Sequence, residues 1–112
     1  MTKKEAEMAL GAAISQYMKA RSAHAFEHEG HDEAGAFLSG MIHTMEFCAG
    51  SVMTCFLLAS RRGPEGDQIK LPEVESMFRG IVEKAVGFVC HNLPNQLTVI
   101  DDILAREKKS DP

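Results

Sequence analysis

Phe37-Leu38-Ser39-Gly40-Met41-Ile42-His43-Thr44-Met45-Glu46-Phe47-Cys48-Ala49-Gly50-Ser51-Val52-Met53-Thr54-Cys55-Phe56-Leu57-Leu58-Ala59-Ser60 decides the fold. Across these positions there is one formal charge, Glu46, and one other ionisable side chain of note, His43. Apolar residues surround the helical circumference, and a helix that is apolar all round needs cover on every side. Three covers compete: the rest of the chain, a second copy, or lipid.

Lipid is the poorest of the three. The stretch is long enough to span a bilayer, and Arg61-Arg62 would flank it. Glu46 would then sit near the middle, at a cost of roughly 2.5–3.5 kcal/mol. His43 adds to that cost. The sequence therefore predicts no membrane span.

The glycines narrow the choice further. Gly35, Gly40 and Gly50 each cost roughly 1 kcal/mol relative to Ala inside a helix. Close approach of a second helix is the usual compensation. Ala36, Gly40 and Thr44 share a face at four-residue spacing, and Gly50 and Thr54 repeat the pattern. This small-residue ridge predicts a tight helix contact, in the geometry known from small-xxx-small dimers. One small chain struggles to surround such a helix, so a homodimer seam along Ala36, Gly40, Thr44, Gly50 and Thr54 is the favoured reading. Packing against another helix of the same chain is the alternative. His43 and Glu46, three apart, can share a face and satisfy each other as a buried polar pair.

Outward from this stretch the helical period recurs and strand signals are weak. Thr2 precedes Glu5 by three residues, the spacing of a capping box. Leu10, Ile14, Tyr17, Met18 and Arg21 then follow at helical spacing, and Gly30 is a natural stop. Asp32 suits the N-cap of the central helix, with Glu33 in its first turn. Arg61 and Arg62 suit its C-terminal end, and Gly63-Pro64 closes it. Pro72 opens a third helix, whose stripe is Val74, Met77, Phe78, Ile81, Val82, Ala85, Val86 and Val89. Pro94 interrupts the path. A last helix carries Leu97, Ile100, Ile103 and Leu104 and runs into the charged tail from Arg106. The expectation is an all-α protein, one domain over residues 1–112. Its helices fall at about 3–28, 33–61, 72–91 and 95–108, with a linker over 63–70, arranged as an antiparallel bundle.

Composition bounds function more than it identifies it. The chain has 112 residues and a formal net charge of −4. Its basic residues lie in separated pairs, which argues against a nucleic-acid partner. Thr2-Lys3-Lys4-Glu5-Ala6-Glu7 has no apolar core of a signal peptide. Cys48, Cys55 and Cys90 show no zinc-type spacing. On one helix Cys48 and Cys55 would stand about 10 Å apart along the axis, too far for a disulfide. They are read as reduced core thiols in a cytoplasmic protein.

Three local patterns could carry chemistry. His24, His28 and His31 fall within eight residues, and His24 and His28 share a face one turn apart. That is two-point geometry for zinc or nickel, with His31 as a third ligand, and it makes a metal- or small-ligand-binding bundle the second functional reading. His24-Ala25-Phe26-Glu27-His28 also follows the H-x-x-E-H order of inverzincins, although so small a helical chain has little space for a protease cleft. Third, His91-Asn92-Leu93-Pro94-Asn95-Gln96-Leu97-Thr98-Val99-Ile100 resembles the phosphoacceptor box of sensor histidine kinases. The resemblance implies a phosphoacceptor at His91, with Asn95 positioning water. Asn92 stands where that family has an acidic residue, and Pro94 sits earlier than the family's proline. The first expectation remains a small non-catalytic helical protein of regulatory or adaptor type. It would act by protein–protein interaction, with itself and with a further protein.

Overall fold

The computed structural model describes residues 1–64 and 69–110. It is all-helical, with four helices and, among the described residues, no strand. They are α1 (Lys3–His28), α2 (Glu33–Arg62), α3 (Leu71–His91) and α4 (Leu93–Ser110). Contacts divide the chain into two units, Met1–Pro64 and Glu65–Pro112. Of the expected linker over 63–70, residues 65–68 lie outside the described residues.

The first unit is an antiparallel helical hairpin. Its helix ends follow local chemistry. The Thr2 side chain accepts from the Glu5 amide at 3.1 Å, and the Glu5 carboxylate accepts from the Thr2 amide at 3.4 Å. These bonds satisfy two of the donors a helix start leaves open. The turn pivots on Gly30, whose φ of 73° lies in the left-handed region that a Cβ disfavours. Asp32 then caps α2, its carboxylate accepting from the Gly35 amide at 2.8 Å.

Burial in this hairpin is confined to small residues near the turn. Ser22 and Ala25 of α1 meet Ala36, Gly40 and Thr44 of α2. A Cβ at Gly40 would overlap the Ser22 hydroxyl and come within 3.0 Å of the Met18 carbonyl oxygen. The glycine thus sets how closely the two backbones approach. Thr44 turns its buried hydroxyl back to donate to the Gly40 carbonyl at 2.6 Å, so no polar atom is stranded there. Farther along, Tyr17 stacks on Phe47 with ring centroids 5.3 Å apart. Beyond that stack the helices bound an apolar groove lined by Leu10, Ile14, Tyr17, Phe47, Cys48 and Val52.

The second unit is α3 followed after one residue by α4. Asn92 makes the break. Its amide donates to the Phe88 and Val89 carbonyls, and its side-chain amide donates to Phe88 again at 2.8 Å. Pro94 has no N–H to extend the α3 ladder, and Gln96 donates to the Asn92 carbonyl to start the next one. Helix α4 therefore opens at Leu93, two residues before the sequence expectation. No residue of α3 or α4 is buried.

Candidate functional site

The sequence-derived ridge divides in the structure. Ala36, Gly40 and Thr44 are buried against α1 of the same chain. A second copy seated on that face would have to displace α1. Gly50 and Thr54 stand apart from this contact. A Cβ at Gly50 would meet nothing within 4 Å, and Thr54 is exposed, its hydroxyl donating to the Gly50 carbonyl at 2.9 Å.

His43 and Glu46 do approach each other, Nδ1 to Oε2 at 3.5 Å. They are not the buried pair expected: the side chains are 40% and 68% exposed. α1 covers the Gly40–Thr44 side of α2 and leaves this flank open. The thiols also depart from expectation. All three are free, but Cys55 and Cys90 are exposed and only Cys48 is half-buried.

The histidines at the hairpin turn gather around a carboxylate. His24 Nδ1 lies 3.1 Å from Glu29 Oε1, His31 Nε2 lies 3.8 Å from Glu29 Oε2, and Arg21 reaches Oε1 at 3.7 Å. The His24 and His28 rings are 5.0 Å apart and tilted, and His28 turns toward Glu27 at 3.8 Å. Glu29 is the C-cap of α1, so this cluster ties the turn together. Among the described residues no group of three or more His, Cys, Asp or Glu side chains is placed to hold a metal ion. His91 is the last residue of α3 and is exposed. The resemblance implies one helix carrying the box, whereas here Asn92 breaks the helix directly after His91.

What the structure presents instead is apolar surface. In α2, Phe37, Leu38, Met41, Ile42, Met45, Phe47, Val52, Phe56 and Leu58 are all exposed. By length and composition α2 could cross a membrane, and only 6% of its apolar window is buried. In the second unit Ile81, Val86, Val89, Leu97, Ile100 and Leu104 are exposed as well. The only buried apolar side chains among the described residues are Ala25 and Ala36. Isolated exposed leucines are ordinary, but contiguous apolar faces mark interaction surfaces.

One pattern on α2 escaped the sequence reading. Leu38, Ile42, Met45, Ala49, Val52 and Phe56 recur at alternating spacings of four and three residues, the a/d rhythm of a heptad. Gly40 and Phe47 occupy the opposite side, toward α1. The richness of apolar residues all round α2 hides this rhythm until α1 shows which side is taken. No protein-family model matches the chain, and neither a curated protein nor a solved structure does.

Proposed function

We propose that this is a non-catalytic helical protein that acts by association, first with a second copy of itself and through that assembly with a further protein. One observation carries the reading. Large apolar side chains are exposed along α2, α3 and α4, while among the described residues burial is restricted to five small residues of one hairpin. A core of Ala25, Ala36 and their neighbours supplies little of the roughly 5–15 kcal/mol that keeps a domain folded. Association supplies the missing burial.

Lipid is a weaker cover than protein for the same faces. α1 lies along α2 in the hairpin, so inserting α2 would carry Lys19 and Arg21 toward the bilayer interior beside His43 and Glu46. Each charge there costs roughly 2.5–3.5 kcal/mol. The proposal thus includes neither a membrane span nor a resident metal, and places the protein in the cytoplasm.

Thermal melting as a function of concentration tests it. If folding and assembly are linked, the melting temperature rises steadily as protein is raised from about 1 to about 100 μM. A melting temperature independent of concentration over that range would contradict the proposal.

A further inference from the structure

We infer that the outward heptad face of α2 pairs antiparallel with the same face of a second copy, making a four-helix core from two α1–α2 hairpins. The inference rests on the self-association proposed above and names its seam. The face runs Leu38, Ile42, Met45, Ala49, Val52, Phe56. Apart from the small, half-buried Ala49, its side chains are between 41% (Phe56) and 63% (Met45, Val52) exposed.

Three features select the second copy and its direction. The first is the symmetry of the seam. An antiparallel pair centred at the level of Phe47 sets Leu38 against Phe56, Ile42 against Val52 and Met45 against Ala49, and each pairing recurs on the other side of the two-fold axis. Large meets small at the centre. A parallel pair would instead stack Ala49 on Ala49 between layers of Met45 and Val52, leaving a gap that close-packed interiors avoid.

The second feature is charge. α2 begins with Asp32 and Glu33 and ends with Arg61 and Arg62, with Glu46 the single charge between. The antiparallel register brings the basic end of each copy to the acidic end of the other. A parallel register would bring like ends together. The third feature is area. Complete burial of the exposed side chains of this seam, with Met41 at its edge, would remove about 600 Å² per copy, or about 1,200 Å² for the pair, which just reaches the lower bound for a stable interface. Glu46 sits on the flank of this seam, mostly exposed and beside His43, where a like charge in the other copy is screened by water.

Sedimentation equilibrium of the full chain tests the seam. Ile42→Glu with Met45→Glu puts four carboxylates into the interface of a dimer, and should weaken it at least about 100-fold. Both positions are exposed and neither lines the groove between α1 and α2, so helicity of the hairpin by circular dichroism should persist. A wild-type dimer indifferent to this double variant would overturn this seam while leaving self-association standing. A wild-type monomer would overturn both, whether the face is covered by its own chain or, on flotation with phosphatidylcholine vesicles, by lipid.

Discussion

Replacing Gly40 by Ala puts a single methyl group where α1 and α2 approach most closely. Two opposing terms follow. Alanine is the better helix former by roughly 1 kcal/mol. The added Cβ, however, overlaps the Ser22 hydroxyl and lies 3.0 Å from the Met18 carbonyl oxygen and 3.3 Å from the Ser22 nitrogen. The hydroxyl can rotate away, but the other two atoms are backbone and yield only if the helices separate. Overpacking of this kind costs about 1–3 kcal/mol, and the backbone contacts place Gly40 in the upper part of that range. The net expectation is a loss of about 1–2 kcal/mol, or a melting temperature lower by roughly 3–8 °C. Gly50 is the internal control. Its Cβ would enter open space. Gly50→Ala should therefore keep the whole helix-propensity gain of roughly 1 kcal/mol and melt a few degrees higher. Adding Ser22→Ala to Gly40→Ala should recover part of the loss. Melting curves followed by circular dichroism at one fixed concentration decide the matter. If Gly40→Ala raises the melting temperature as much as Gly50→Ala, the close approach of α1 and α2 is wrong.

Other perturbations probe separate parts of the account. Gly30→Ala should destabilise by about 1–2 kcal/mol in the same melts, because Gly30 holds a left-handed conformation that a Cβ penalises; an unchanged curve would mean the turn is built differently. Phe47→Ala removes the stack on Tyr17 and should cost about 1–2 kcal/mol, below the about 3–5 kcal/mol of a buried aromatic because Phe47 is 62% exposed; stability equal to wild type would contradict that contact. Zinc or nickel at about 1 mM should leave the melting temperature unchanged. A rise of several degrees would reinstate His24, His28 and His31 as ligands rather than partners of Glu29.

Helical class was legible because the signals were local. The Thr2–Glu5 capping box, Asp32 before α2, and Gly30 at a left-handed turn each act within a few residues, and each stands in the sequence as it acts in the structure. The glycine ridge was legible as a demand for close packing. Its neighbour was not, since Ala36, Gly40 and Thr44 would look the same beside α1 or beside another chain. The apolar excess of α2 likewise masked its heptad rhythm, because nearly every face of that helix carries Leu, Met, Ile or Phe. The arrangement of the histidines was not legible for a different reason. Spacing put His24 and His28 on one face, but the carboxylate of Glu29, just past the helix end, draws His24 and His31 toward itself.

Static light scattering on the full chain at about 50 μM tests the central claim most directly. Association through the exposed faces predicts a particle of at least twice the 12.3 kDa chain mass. A stable, folded, monodisperse species of 12.3 kDa would contradict it.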